Sequence, residues 1–177
     1  MNEKIAIGCD HAAFNEKEKL KLYLVEKGYN LVDVGTNSLD SVDYPSYGHK
    51  VGLLVSNNTV DKGIVICGSG IGISIAANKV KGARAALCTS QAHAEMSRKH
   101  NDANIIALGA RHINHDSARQ CVEAFLNTDF EGARHSKRIF KIDEKTNADS
   151  NDGELEKALE KELERQQSTV ELIASEN

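Results

Sequence analysis

The 177-residue chain has 40% hydrophobic residues, 26 acidic and 22 basic side chains, a composition expected of one globular domain. No apolar run approaches the roughly 20 residues that span a bilayer, and no basic segment leads into an apolar N-terminal stretch, so neither a membrane span nor a secretory leader is expected. Four scattered cysteines without a CxxC pair speak against a zinc site or a disulfide framework and for a reducing, cytoplasmic setting.

Charge is unevenly placed. Residues 144–177 hold ten acidic and four basic groups, net −6, which leaves 16 acidic and 18 basic groups, net +2, in residues 1–143. That balance is too weak for a nucleic-acid surface and suits a small anionic ligand.

Strand and helix signals alternate along the body. "KIAIGCD" (4–10) reads as a first strand, followed by a helix over 15–27 with Leu20, Tyr23 and Leu24 at helical spacing and Gly28 as its stop. "LVDVG" (31–35) is a second strand, and Pro45 suits the first turn of the next helix. "GIVICG" (63–68) is a nearly continuous apolar run, as in a strand covered on both faces. A helix follows in "ISIAANKV" (73–80), then a fourth strand in 83–88 and a helix over 90–102 capped by Ser90. A fifth strand (104–110) and a helix (115–127) complete the series. This alternation predicts a Rossmann-like α/β/α sandwich around a five-stranded parallel sheet. Ligands of such folds sit at the carboxyl ends of the strands, where Asp10, His11, Cys67, Arg111 and His112 fall.

"ICGSGIG" (66–72) is the most informative stretch. Its glycines stand at 68, 70 and 72. A dinucleotide fingerprint needs glycine at 73, where Ile73 stands, and a P-loop needs a Gly-Lys pair that is missing. What remains is a strand–turn–helix whose backbone N–H groups face an anion, or a tight turn that packs a helix closely on the sheet. Cys67 sits where a helix N-terminus favours thiolate over thiol. A thiolate base beside N–H donors suits proton abstraction next to a carbonyl. Cysteines are also ordinary small buried hydrophobes, and that is the expectation for Cys9, Cys88 and Cys121. His100 and Asn101 fall near a helix end. Arg134 and Arg138 are four apart, so on one helix they share a face that could grip a phosphate or lie solvated. Asp43 and Tyr44 are expected in a loop.

Taken together, "GCDHAAF", "DYP", "ICGSGIGISIAANK", "SRKHNDANIIALGAR" and "EGARHSKR" resemble, in one colinear order over residues 3–142, the type B ribose-5-phosphate isomerases, whose wider family includes galactose- and allose-6-phosphate isomerases. The resemblance implies a homodimer, or a tetramer, with active sites at the subunit interface. It implies interconversion of ribose 5-phosphate and ribulose 5-phosphate, a pentose phosphate pathway step, without metal or organic cofactor. Carried over by position, Cys67 is the base that takes the C2 proton and His100 assists ring opening. Gly68, Ser69, Gly70, Ile71 and Gly72 form the loop around the substrate oxygens. Ser69 stands where many members have threonine and keeps a hydroxyl for a relay between O1 and O2. Asp10, His11, Tyr44 and Asn101 are further substrate contacts, and Arg111, Arg134 and Arg138 surround the phosphate end. The alternatives are a hexose 6-phosphate as substrate, or a phosphosugar-binding module without catalysis. The joint presence of Cys67 and His100 argues against the module.

The texture changes after Phe140. Residues 143–153 read as a polar linker, and 154–177 as an appended helical segment with a thin stripe of Leu155, Leu159 and Leu163. "ELERQQSTVELIASEN" is similar to the start of a serine hydroxymethyltransferase. That enzyme's pyridoxal-phosphate lysine has no counterpart here, so the segment is expected to have no activity of its own.

Overall fold

The computed structural model describes residues 3–144. Five strands, β1 (Lys4–Cys9), β2 (Asn30–Asp33), β3 (Lys62–Cys67), β4 (Ala85–Leu87) and β5 (Ile105–Gly109), form one sheet in the order β2-β1-β3-β5-β4. Every pairing is parallel, as the alternating sequence signals require. The connecting helices are α1 (Phe14–Glu26), α2 (Tyr44–Ser56), α3 (Ile71–Asn78), α4 (Gln91–Asn101) and α5 (His115–Asn127); α6 (Ser136–Glu144) follows. Short 3-10 turns at His11–Ala13 and Ala133–His135 precede α1 and α6.

Local chemistry explains the element ends. Asp43 precedes α2 and Pro45 occupies its first turn, where a missing N–H costs nothing. Ser90 Oγ accepts from His93 N–H at the start of α4, and Asn114 Oδ1 accepts from Ser117 N–H at the start of α5. Tyr44 therefore opens a helix and does not lie in a loop.

Side chains alternate across the central strands. Ile5, Ile7, Ile64, Ile66, Ile106 and Leu108 face Leu20 and Leu24 of α1 and Val122 and Phe125 of α5. Ala6, Val65, Ile105 and Ala107 face Val51 and Val55 of α2 and Ile73 and Ala77 of α3. Both faces are thus dry, which is why the third strand reads as an unbroken apolar run. Among the described residues no helix is long and apolar enough to cross a membrane. The fold divides after Ile139 into two units, and all the candidate site residues lie in the first. Most of the expected linker and the whole segment 154–177 lie outside the described residues.

One charged group interrupts the apolar interior. Lys17 of α1 is 1% exposed. Its Nζ donates to Asp33 Oδ2 and to Thr36 O, both at 2.8 Å, and lies 2.9 Å from Glu18. Lys21 reaches the same Asp33 oxygen at 2.6 Å. The cluster ties α1 to the end of β2 and to the turn that leads towards α2. Burial pushes the Asp33 carboxyl upward, but hydrogen bonds from Lys17, Lys21 and the Gly35 N–H more than offset it and hold it below the usual carboxylate range. A carboxylate depressed in the fold stabilises it above the unfolded value and loses that contribution as pH falls. Unfolding stability should therefore drop below about pH 4, and Asp33→Asn should blunt the drop. In urea melts at neutral pH, Lys17→Ala should lose about 3 kcal/mol because it breaks a buried pair. The partly exposed Lys21→Ala should lose less than about 1 kcal/mol. Equal losses in the two variants would remove Lys17 from this role.

Candidate active site

The sheet order reverses beside β1: β2 lies on one flank and β3 on the other. At such a switch point the chains leaving two adjacent strands diverge and open a crevice at their carboxyl ends. Register then decides what lines it. Cys9 pairs with Ile66 and Cys67 with Gly109, so the residues after β1, β3 and β5 emerge at one level. Backbone bonds hold them there: Asp10 N–H to Ile66 O at 3.3 Å, Ala110 N–H to Cys67 O at 2.9 Å, and Arg111 N–H to Gly68 O at 3.0 Å.

Cys67 ends β3 and is 4% exposed. Its Sγ accepts from Gly70 N–H at 3.1 Å, a bond that strengthens as the sulfur gains negative charge. Gly70 caps α3 with φ 77°, in the left-handed region. A Cβ there would also come 2.8 Å from the Leu108 carbonyl carbon, so only glycine lets the loop lie against β5. Ser69 Oγ accepts from Ile71 N–H at 3.3 Å. Two of the loop amides expected to face a substrate oxygen are therefore held by Sγ and Oγ. The first helical bond of α3 runs from Ser74 N–H to Gly70 O. By position this leaves the Gly72 and Ile73 amides ahead of the ladder at the positive end of the helix.

The remaining walls come from the chain after β1, the start of α2 and the chain after β5. Asp10 is 6% exposed, and its Oδ1 accepts from Ala12 N–H at 3.0 Å. Val42 N–H donates to His11 Nδ1 at 3.2 Å and fastens the approach to α2. The Tyr44 ring lies on Gly72, where a Cβ would come within 2.5 Å of it. The Arg111 guanidinium covers Gly68, whose Cβ would meet it at 3.1–3.2 Å. Together these residues line an open cleft of about 560 Å³, with Ile71 and Ile75 of α3 on its rim. Ala12 and Ile75 are lining residues that the sequence pattern did not single out; neither carries a reactive group that would mark it.

The other cysteines are set apart from this chemistry. Burial pushes Cys9 up to about 12 and Cys88 up to about 11, and it raises Cys121 as well. All three are buried in the α1/α5 side of the core, as small hydrophobes.

His100, Asn101, Arg134 and Arg138 do not join the cleft. His100 and Asn101 end α4 and lie before β5 begins, whereas Cys67 is level with the end of β5. The four steps from Ile105 to Gly109 alone span about 13 Å. Arg134 lies in the 3-10 turn and Arg138 in the first turn of α6, which follows that turn directly through Ser136 in helical geometry. Gly132 and Ala133 take positive φ values of 66° and 48° and so turn the chain just ahead of Arg134. Around His100 the structure adds two neighbours. The His135 ring stacks on it with centroids 4.3 Å apart and planes 6° from parallel, and Glu131 Oε2 lies 3.8 Å from the Nε2 atom of each histidine. No local sequence signal joins residues 35 apart in this way.

The family described as Ribose/Galactose Isomerase matches residues 5–142. Ribose-5-phosphate isomerase B of Escherichia coli is 46% identical over 137 residues, covering 77% of this chain and 92% of that protein. The solved ribose-5-phosphate isomerase B of Clostridium thermocellum is 50% identical with a TM-score of 0.82, covering 83% of this chain and 99% of the other. That of Mycoplasma genitalium, determined with bound ribulose 5-phosphate, is 39% identical with a TM-score of 0.79 and covers 82% and 97%. With the parallel sheet, the switch-point cleft and this agreement over nearly the whole length of its relatives, the chain belongs to the ribose/galactose isomerase family.

Proposed function

We propose that the protein interconverts D-ribose 5-phosphate and D-ribulose 5-phosphate through an enediolate, as a step of the pentose phosphate pathway. The observation that carries the mechanism is Cys67 Sγ at the floor of the cleft, hydrogen-bonded to the amide that caps the next helix. The Cys67 thiolate takes the C2 proton of the open-chain aldose. The C2–H electron pair forms the C1–C2 double bond, and the carbonyl pair moves onto O1. The positive end of α3 faces the charge that develops there. The Ser69 hydroxyl carries a proton between O2 and O1, and Cys67 returns its proton to C1. No redox partner is needed, because the substrate is oxidised at C2 and reduced at C1.

In this reading the cleft is half of a site. Cys67, Ser69, Asp10, His11, Tyr44 and Arg111 stand at one pole of the chain, while His100, Asn101, Arg134 and Arg138 stand at the amino end of β5. One chain cannot bring them to one sugar, but two copies can. Ile71 and Ile75, 54% and 55% exposed on the cleft rim, offer apolar surface for such a contact. A second copy then supplies His100 for ring opening and Arg134 and Arg138 for the phosphate. Residues 1–142 form the isomerase domain, 143–153 a linker, and 154–177 an appended segment without catalysis.

Turnover of ribose 5-phosphate, allose 6-phosphate and galactose 6-phosphate by the purified protein tests the substrate. The pentose should be preferred in kcat/KM; a preferred hexose would overturn the assignment. Cys67→Ala should lose about 10²–10⁴-fold in kcat while still binding substrate. His100→Asn should be equally poor on cyclic ribose 5-phosphate. Unfolding and refolding the two inactive variants together should restore roughly a quarter of the wild-type rate, by statistical reassortment of a homodimer. No restoration, despite proven mixed dimers, would place both groups in one chain's site.

A chain ending at Asp143 should keep its kcat/KM and its oligomeric mass, and the full chain should bind no pyridoxal phosphate. Collapse of activity together with the dimer would make the last 34 residues structural.

A further inference from the structure

The cluster around His100 holds more than the catalytic reading uses. His100, Glu131 and His135 offer three ligand atoms within 4.8 Å of one another, the arrangement a divalent metal would need. Their orientation does not suit a chelate. An imidazole binds a metal in its own plane, and two rings stacked 4.3 Å apart at 6° have no point within ligating distance that lies in both planes. The Nε2 of His135 is also engaged, because Arg134 Nε donates to it at 3.3 Å.

That bond fixes the state of the ring. Arginine only donates, so His135 Nε2 accepts and the single ring proton sits on Nδ1. Desolvation, followed by the positive fields of His100, Arg134 and Arg138, holds His135 below the ordinary histidine value, against the opposing pull of Glu131. The residue is 4% exposed, whereas the His100 side chain is 30% exposed. An enclosed ring that accepts at Nε2 therefore lies flat beneath an accessible one. The backbone is shaped to put it there. Glu131 N–H donates to Lys99 O at 3.1 Å, which fastens the segment to the end of α4, and His135 N–H donates to Gly132 O at 3.0 Å. Ala133 is held at φ 48°, a conformation that persists in a non-glycine residue only where its surroundings impose it.

We propose that His135 is a positioning residue with two separable tasks: its ring face sets the plane of His100, and its Nε2 aims the Arg134 guanidinium. The proposal rests on the reading of His100 as the ring-opening group and Arg134 as a phosphate ligand. The plane of His100 governs proton transfer to the ring oxygen and so affects kcat. The direction of Arg134 governs phosphate binding and so affects KM. His135 couples the two, and its neutrality leaves the proton transfer to His100.

Three substitutions separate the tasks. His135→Ala removes both and should lower kcat for ribose 5-phosphate by about ten- to a hundredfold, the cost of a misaimed group, while raising KM. His135→Phe restores a flat ring without an acceptor; most of kcat should return while KM stays raised. His135→Gln restores an acceptor without a ring; KM should return while kcat stays low. Thermal melts of each variant check that the fold is kept. In the wild-type protein, imidazole nitrogen shifts in NMR should show His135 neutral with its proton on Nδ1 at pH 7. Equal kinetic losses in all three folded variants would reduce His135 to a space-filler and overturn the proposal, as would a His135 protonated at pH 7. His100→Asn, measured in parallel, separates the proposal from its premise. Wild-type kcat in that variant overturns the role of His100 itself, whereas loss there beside wild-type kinetics in His135→Ala overturns the positioning alone.

Discussion

The register of β3 between β1 and β5 is the constraint on which the cleft depends. Cys9 opposite Ile66 and Cys67 opposite Gly109 bring three strand ends to one level, and the groups that follow them meet as a consequence. A slip of one residue would turn Cys67 to the opposite face of the sheet and exchange both apolar surfaces. The register is protected because each face is filled by a different set of side chains, Ile64 and Ile66 on one and Val65 and Cys67 on the other. Packing and placement of the Cys67 thiol are thus the same physical fact. The glycine loop extends the logic by one turn: Gly70 lets the backbone lie on β5 and swings its N–H back onto Sγ.

Charge inside the fold is used sparingly and in two ways. Around Lys17 it fastens: an almost fully enclosed ammonium gathers Asp33, Glu18 and the Thr36 carbonyl, and so fixes the path from β2 towards the helix that carries Tyr44. Around His100 it is graded: the buried His135 is kept neutral by enclosure and by neighbouring cations, while Glu131 stays at the surface, 3.8 Å from both rings. The first cluster shapes the cleft from behind. The second stands at the other end of the sheet, before β5 begins, away from Cys67. In the proposed function a two-fold pairing of copies would join the two, giving each cleft a cluster from the other copy.

Much of this was legible in the residues. Alternating apolar periods announced five parallel strands and their helices, and turn chemistry at Pro45, Ser90 and the glycines placed the boundaries within a few residues. Those signals are local, because a strand buried on both faces or a capped helix needs only its own side chains to declare itself. Five ordered motifs also pointed to the family that the comparisons bear out. The order β2-β1-β3-β5-β4 was not written in any one segment, since it depends on which strands pair across the core. Nor was the separation of Cys67 from His100, which follows from α4 running back to the amino end of β5. The stack of His135 on His100 is made by a turn at Gly132 and Ala133, both at positive φ, in a segment that Glu131 ties to the end of α4. Sequence determined which chemistry the chain carries, because side-chain identity is local; only the tertiary structure decided which groups share a site, because distance between them is set by the packing of elements far apart in the chain.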